Sequence, residues 1–384
     1  MRSYNIKKFA MLPLTMVDLK SQYQKIKPQV DAAIQTVIDN TQFIKGPEVS
    51  SFQDELAAYL GVKHVIACAN GTDALQIAMM ALGLKPGDEV ITTDFTFIAT
   101  VEVIALLGLT PVLVDVCPDT FNIDIEAVKK AITPKTKAIV PVHLFGQAAN
   151  MEALMELAKA HHLYVIEDNA QAIGTDITLS DGRVKKAGTM GHIGCTSFFP
   201  SKNLGCYGDG GAMFTNDDAL AEQISSIVNH GMKVRYYHDR IGVNSRLDTI
   251  QAAILRVKLP LLDSYNRARQ KAAAYYNEVF KNISEIQTPK VAPFTSHSYH
   301  QYTMLIKNGK RNALKKFLDE KGIPNMIYYP VPLHQQKAFD IYKTEQLYPV
   351  TDSLCNKVLS LPMHTELTEE QLELICSSVS AFFN

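Results

Sequence analysis

Short apolar runs alternate with segments of helical periodicity between about residue 60 and residue 217. The runs are continuously apolar, as strands buried on both faces are, and they lie at 64–69, 89–93, 111–116, 138–144 and 163–167. Apolar residues recur at helical spacing between them, at 71–82, 98–107 and 151–161. This alternation predicts an α/β fold in which helices cover both faces of a mostly parallel sheet.

The pattern changes after residue 217. It predicts helices at 219–228, 247–259 and 311–321, and a strand at 301–306. The segment 262–280 keeps its apolar residues on one stripe, which is typical of a long amphipathic helix. Thr368 and Gln371 form a capping signal for the last helix. We therefore predict a large domain over 1–260, including the N-terminal segment, and a smaller C-terminal α/β domain over 261–384 that begins with a long linking helix.

The amino-acid composition indicates which classes of binding partner and which cellular compartment to expect. The 384 residues are 47% apolar and 20% charged, with 38 Lys plus Arg against 39 Asp plus Glu, so the net charge is −1. This balance argues against disorder and against a nucleic-acid partner. No run approaches the roughly 20 apolar residues of a membrane span, and the N-terminus lacks the pattern of a signal peptide. The six cysteines are scattered, so we expect a reducing, cytoplasmic location without a membrane partner.

Three segments hold residues suited to chemistry. Asn70–Asp73 lies between a strand and a helix, where backbone N–H groups can bind phosphate, although an ordinary capped turn has the same pattern. Asp168 ends a buried strand, where α/β sheets bind ligands, although it also fits a helix cap. Lys202 follows an apolar aromatic run and precedes glycines; a desolvated lysine is a Schiff-base nucleophile, although a surface loop lysine is commoner.

The three segments together, in this order, match the components of a pyridoxal phosphate enzyme. The sequence resembles the sugar aminotransferases of the DegT/DnrJ/EryC1/StrS family, which have the aspartate-aminotransferase fold (fold type I). The resemblance runs from about Leu14 to the C-terminus. Its most specific stretches are Gly46–Val49, Ala69–Leu75, Glu167-Asp168-x-x-Gln171, Ser197–Lys202 and Gly242–Asp248.

The resemblance implies a role for each matching residue around the cofactor, pyridoxal 5′-phosphate. Lys202 would hold it as a Schiff base and then move the proton between the substrate carbon and the cofactor. Asp168 would pair with the pyridinium nitrogen and keep it protonated. Gln171 would lie near the ring hydroxyl. Phe97 would stack on the ring face, although its pattern also fits a core aromatic residue.

The resemblance also implies a phosphate site and a shared active site. Gly71, Thr72 and Ser197 would bind the phosphate through N–H and hydroxyl groups. The asparagine matching Asn244 reaches the phosphate from the neighbouring subunit in this family, which implies a homodimer. No set of residues has metal-ligand spacing, and Gly188–Gly194 lacks the preceding strand of a dinucleotide-binding motif.

For the substrate, the resemblance implies a nucleotide-linked keto sugar and L-glutamate. Residues 195–211 and 241–255 are most similar to enzymes of lipopolysaccharide and O-antigen synthesis that aminate C3 of UDP-2-acetamido-3-oxo-glucuronate. Arg246 could bind the sugar carboxylate, and the basic segment 233–240 could receive the diphosphate or be simply solvated. A dTDP-linked 3- or 4-keto-6-deoxy sugar remains the alternative, because an arginine at this place also occurs in relatives whose sugars lack the carboxylate.

Two further positions, Tyr328 and His334, are expected near the substrate. Tyr328 stands where the family usually has histidine, a difference that leaves the sugar preference open, whereas His334 matches the family pattern. Lys202 argues against the sugar dehydratase branch, which has histidine in its place. A non-catalytic regulator on the same fold is the least favoured reading, since no basic helix-turn-helix pattern precedes the matched region.

Overall fold

The structure, a computed structural model, describes residues 14–384, so the predicted absence of a signal peptide concerns residues outside the described range. The strands in the described range are β1 (His64–Cys68), β2 (Glu89–Thr93), β3 (Thr110–Val114), β4 (Thr136–Val140), β5 (Tyr164–Asp168), β6 (Asp176–Thr178), β7 (Val184–Lys186), β8 (Ile193–Ser197), β9 (Gly211–Thr215), β10 (Met232–Val234), β11 (Tyr237–His238), β12 (Ile286–Gln287), β13 (Tyr302–Ile306) and β14 (Val358–Leu361). The α-helices there are α1 (Leu19–Asn40), α2 (Pro47–Leu60), α3 (Gly71–Ala81), α4 (Ala99–Leu106), α5 (Ile125–Ala131), α6 (Met151–Ala160), α7 (Asp218–Ile227), α8 (Thr249–Lys258), α9 (Leu262–Phe280), α10 (Arg311–Glu320), α11 (Pro349–Lys357) and α12 (Glu369–Phe383).

A seven-stranded sheet forms the centre of the molecule, in the order β1-β9-β8-β5-β4-β2-β3. Neighbouring strands from β8 to β3 are parallel, whereas β9 runs antiparallel to both β1 and β8. The α/β fold with a mostly parallel sheet is therefore confirmed. The sequence pattern did not predict β8 or β9, because each is five residues long, contains a glycine and lies beside a glycine-rich segment, so neither forms a long apolar run.

Apolar side chains pack on both faces of this sheet. On one face, α3 and α7 bury residues such as Leu75 and Ile224 against β1, β5 and β8. On the other, α2 and α8 bury Phe52 and Leu255, and α6 covers the neighbouring strands with Leu154. Burial on both sides explains why these strands are continuously apolar rather than alternating.

The C-terminal part builds a second core. Its three-stranded antiparallel sheet, in the order β12-β13-β14, is covered by α9, α10 and α12. Helix α9 joins the two cores, since Leu262 packs with the large-sheet residues and Tyr276 with the small-sheet residues. The start of the described chain also reaches this second core, where Met16 accepts a hydrogen bond from the N–H of Met363. The boundary near residue 260 stays a prediction.

The predicted capping box at the last helix is present, with Thr368 and Gln371 each bonding the other's backbone N–H. Across residues 14–384, no helix is both long and apolar enough to cross a membrane, and no group of side chains is arranged to hold a metal ion.

Candidate active site

Residues predicted to bind the cofactor lie together at the carboxyl end of the sheet. Asp168 ends β5, Ser197 ends the neighbouring β8, and Gly71 begins α3 directly after β1. Open α/β sheets bind ligands at this edge, because strand ends and helix N-termini converge there. Residues separated by more than 120 positions in the sequence thus share one site.

The start of α3 forms a cradle suited to a phosphate. The side chain of Asn70 caps the helix by accepting a hydrogen bond from the N–H of Asp73 at 2.8 Å. The first N–H groups of a helix lack partners within it, so those of Gly71 and Thr72 are oriented for an anion. A Cβ on Gly71 would lie 2.7 Å from Cβ of Ser197, so only glycine lets this serine lie beside the helix start. The arrangement fits a phosphate held by backbone N–H groups and a hydroxyl.

Two hydrogen bonds orient the carboxylate of Asp168. Oγ1 of Thr100 donates to Oδ2 at 2.8 Å, and the N–H of Ala170 donates to Oδ1 at 3.1 Å. Asp168 is nearly buried. A carboxylate fixed in this way is suited to accept a further charged hydrogen bond from a bound ring nitrogen.

Lys202 lies in a tight turn after β8, where its backbone N–H donates to the carbonyl of Phe199 at 2.8 Å. Burial lowers the pKa of its amine to about 8, although the nearby charge of Asp168 opposes this shift. Within the described range, no hydrogen bond or ion pair occupies Nζ. Burial therefore makes the uncharged, nucleophilic amine available at a lower pH than in an exposed lysine.

Lys258 contacts the same turn and stabilises it. The sequence did not predict this role. Its Nζ donates to the carbonyl of Gly205 at 2.6 Å and lies 4.8 Å from the ring centre of Tyr207. The side chain is buried, which lowers the pKa of this second amine to about 8 as well. The sequence shows only a lysine on an amphipathic helix, a pattern that gives no sign of this contact.

A fully buried pair, Glu167 and His143, lies directly behind Asp168 and was also missed. The carboxylate of Glu167 accepts from Nε2 of His143 at 2.8 Å and from backbone N–H groups of residues 188, 190 and 191. Burial alone would raise the pKa of Glu167, but these hydrogen bonds outweigh it and lower the pKa. Nδ1 of His143 accepts from the N–H of Ala149, so its proton lies on Nε2. The pair fastens the end of β5 to the loop before β8.

Aromatic side chains border the opposite side of the site. Gln171 accepts from the N–H of Phe145 at 2.7 Å and donates to the hydroxyl of Tyr329 at 3.1 Å. The ring of Tyr329 stacks on Phe145, with ring centres 6.4 Å apart, and lies 6.3 Å from that of Phe97. Phe97 is 54% exposed, so it is not the core aromatic residue of the alternative reading. Its exposure leaves a ring face available for stacking.

Asn244, expected to bind the phosphate, and Arg246, expected to bind the substrate, lie on either side of Ser245 in the chain. Asn244 is exposed, and the adjacent Ser245 accepts from the N–H of Ala69 beside the phosphate cradle. Arg246 is partly buried and close to Lys45, whose pKa is lowered by burial and by the charge of Arg246. No ion pair with an acidic residue is formed by either cation in the described part of the chain.

Tyr328 and His334 belong to the C-terminal part of the molecule. Tyr328 is partly buried and packs against an apolar cluster that includes Phe95 and Leu305. The Nδ1 of His334 lies 2.5 Å from Oδ2 of Asp94, and its ring stacks on that of Tyr348. Over residues 14–384, no hydrogen bond, ion pair or ring contact joins either side chain to Lys202 or Asp168.

A desolvated lysine facing a fixed strand-end carboxylate, with a helix-start phosphate cradle beside them, fits pyridoxal phosphate. The fold and this site together define a pyridoxal phosphate enzyme of fold type I, the aspartate-aminotransferase class. The chain belongs to the DegT/DnrJ/EryC1/StrS aminotransferase family, whose match spans residues 24–380. The resemblance noted in the sequence is thereby confirmed, and the protein is an aminotransferase that depends on pyridoxal phosphate.

Individual relatives cover nearly the whole chain. It is 46% identical to "UDP-2-acetamido-2-deoxy-3-oxo-D-glucuronate aminotransferase" from Pseudomonas aeruginosa, over 96% of this chain and 99% of that protein. It is 48% identical to "Pleiotropic regulatory protein" from Geobacillus stearothermophilus, over 96% and 98%. The crystal structure of a DegT DnrJ EryC1 StrS aminotransferase from Brucella abortus superimposes with a TM-score of 0.91 at 43% identity, covering 97% of this chain and 100% of that one.

Proposed function

We propose that the protein transfers the amino group of L-glutamate to C3 of a UDP-linked 3-keto sugar, UDP-2-acetamido-2-deoxy-3-oxo-glucuronate. The products are the 3-amino sugar nucleotide and 2-oxoglutarate, which would serve lipopolysaccharide or O-antigen synthesis. The observation that carries the transfer itself is the unpaired, desolvated amine of Lys202 beside Asp168. The similarity to the Pseudomonas aeruginosa enzyme supports the choice of sugar.

We assign each residue of the site a role in cofactor binding or in proton transfer. Bound pyridoxal phosphate supplies an electron sink for the carbon that loses its proton. Lys202 holds the cofactor and then carries the proton at its Nζ, and Asp168 accepts a hydrogen bond from the ring N–H. Gln171 binds near the ring hydroxyl and Phe97 stacks on the ring. Gly71, Thr72 and Ser197 bind the phosphate, and Asn244 of a second copy completes that phosphate site.

Two cations support an anionic sugar nucleotide as the acceptor. Lys45 and Arg246 lie close together without an acidic partner, and the second follows directly after Ser245 at the cradle. Two neighbouring cations repel each other, so an anionic substrate that lies between them relieves the repulsion. We assign the sugar carboxylate to Arg246, and Tyr328 and His334 to the rim of the sugar site.

A panel of substrates tests this assignment. With L-glutamate, the protein is expected to aminate the UDP-3-keto-uronic acid, as shown by product mass and NMR, and to leave a dTDP-3- or 4-keto-6-deoxy sugar unchanged. Arg246→Gln should lower kcat/KM for the uronic acid by about 10- to 100-fold, the effect of losing one charged hydrogen-bond pair.

A matched sugar without the carboxylate distinguishes the loss of the Arg246–carboxylate contact from a nonspecific loss of activity. Arg246→Gln should change kcat/KM for the neutral 6-hydroxy counterpart of the uronic acid by no more than about threefold, because this sugar lacks the carboxylate. Amination of the dTDP-6-deoxy sugar alone would contradict the proposed acceptor and favour the other sugar class.

We further propose a homodimer with shared active sites. The hairpin β10–β11 and the short segment after it expose large apolar side chains, at 62–86% exposure, which are Val234, Tyr236, Tyr237 and Ile241. Exposed apolar groups clustered on one short segment are typical of an interface. This segment leads directly to Asn244, so a second copy seated here would bring that residue to the neighbouring phosphate cradle.

Mixing two impaired variants tests the shared site. Lys202→Ala and Asn244→Ala homodimers are each expected to be impaired, but random reassembly should recover about a quarter of the sites, because one site of each mixed dimer has both native residues. Activity after mixing, with masses from light scattering, measures this. An unchanged activity of the mixture would show that each site uses its own Asn244.

The cytoplasm is the compartment we propose. All six cysteines are free, and five of them are buried. Free thiols persist in a reducing environment, where nucleotide sugars are also made. Recovery of the protein in the soluble cell fraction would agree with this location, and recovery in a periplasmic extract would contradict it.

A further inference from the structure

Asp94 joins two parts of the molecule through three hydrogen bonds to one short turn. Its carbonyl accepts from the N–H of Leu333 at 3.2 Å, and its Oδ1 accepts from the N–H of His334 at 2.7 Å. Its Oδ2 accepts from Nδ1 of the same histidine at 2.5 Å. Asp94 is fully buried; burial raises the pKa of its carboxyl, and the bonds from His334 oppose this shift.

Each side of this contact leads to a residue at the cofactor site. Asp94 follows β2 and lies three positions before Phe97, whose ring is 54% exposed and lies 6.3 Å from that of Tyr329. His334 lies five positions after Tyr329, whose hydroxyl accepts from Gln171. The hydrogen bonds of Asp94 thus join the two chain segments that carry the rings of Phe97 and Tyr329.

The other contacts of His334 point away from Asp94. Its ring stacks on Tyr348 with ring centres 4.7 Å apart, and its Nε2 lies 3.6 Å from a carboxylate oxygen of the half-exposed Asp352. The Nδ1 atom is thus bonded to the buried Asp94, while the Nε2 atom lies near the solvent-accessible Asp352. A histidine held on both sides is poorly placed to serve primarily as a sugar ligand.

We propose that Asp94 and His334 are a positioning pair, which sets the place of Phe97 over the cofactor ring through the hydrogen bond from Nδ1 to Oδ2. From its place at the rim of the sugar site, His334 then acts on the reaction through Phe97 and not as a direct ligand of the sugar. This rests on the proposed function of the site, but it concerns cofactor binding and the glutamate half of the reaction, which require no sugar nucleotide.

The test compares two substitutions of the histidine. His334→Phe keeps the stacking on Tyr348 and removes the donor, so it should weaken pyridoxal phosphate binding about tenfold and slow the half-reaction with glutamate about tenfold. His334→Asn places an amide nitrogen near the position of Nδ1, so both quantities should stay within about threefold of the native protein. Cofactor titration by absorbance, visible circular dichroism of the bound cofactor and single-turnover kinetics are the measurements.

Two controls show whether the effect passes through Phe97. Asp352→Asn changes only the outer contacts, with His334 and Gln335, and should leave all three measurements unchanged. In a Phe97→Leu background, His334→Phe should cost much less than in the native protein, because the ring that it positions is already gone. Should His334→Phe not fold, His334→Ala replaces it in the same comparison.

Some outcomes would overturn the positioning pair. Native cofactor affinity and a native half-reaction in His334→Phe, or equal losses in His334→Asn and His334→Phe, would exclude it. A rise in KM for the sugar nucleotide alone would assign His334 to the substrate instead. The wild-type protein's failure to aminate the UDP-linked sugar would refute the proposed acceptor, yet leave these measurements valid.

Discussion

Lys202→Ala is expected to reduce amino transfer by on the order of 10⁴-fold or more, because both the covalent attachment and the proton carrier are lost. The fold should persist, since Nζ makes no hydrogen bond or ion pair within the described range and its removal relieves the burial of an amine. Initial rates of 2-oxoglutarate formation, with circular dichroism and thermal unfolding as checks, measure the two effects. A variant that still aminates the sugar at a native rate would refute the assignment of Lys202.

Lys258 provides the matched comparison for this experiment. Its pKa is also lowered to about 8 by burial, but its Nζ is engaged with the carbonyl of Gly205. Borohydride reduction of the loaded protein, followed by peptide mapping, should therefore label Lys202 and leave Lys258 unlabelled. In Lys258→Met the label should stay on Lys202, although a looser turn is expected to slow the reaction. A label on any other lysine would contradict the proposed attachment.

The fold and the central residues of the site could be predicted because their signals are local. A continuously apolar run predicts a buried strand, and the residues that follow such runs, including Asp168, lie at one edge of the sheet. The same logic located the Gly71 turn. It failed for β8 and β9, which pair antiparallel with each other and are too short and too rich in glycine to form a long apolar run.

The supporting residues could not be predicted, because their contacts join distant parts of the chain. Glu167 and His143 come together only when β4 and β5 pair, and Lys258 reaches Gly205 only when α8 packs below the turn. Asp94 and His334 are 240 positions apart. Even where such a residue lies in a matching motif, as Glu167 and His334 do, the sequence does not show its partner, which is visible only once the fold has placed both residues. Sequence patterns thus predict where reacting groups lie better than they predict what holds them.

Asp168→Asn is expected to lower kcat by on the order of 10²- to 10³-fold, the effect of losing one fixed electrostatic partner of developing charge. The carboxylate lies where it can keep a bound ring nitrogen protonated, and an amide of the same shape lacks the charge to do so. Because the side chain keeps its size, cofactor affinity should fall far less than kcat. Single-turnover kinetics with glutamate and a cofactor titration separate these two quantities.

The bonds to Asp168 offer a graded control for this prediction. Thr100→Val removes the donor to Oδ2 but leaves the charge, so its effect on kcat should stay near tenfold, in line with the loss of one hydrogen bond to a charged group. If charge is what matters, Asp168→Glu should retain more activity than Asp168→Asn, even though its longer chain disturbs both hydrogen bonds. Equal losses in Thr100→Val and Asp168→Asn would instead mean that orientation, and not charge, is the contribution of this carboxylate. The ordering of the three variants therefore tests the electrostatic role directly.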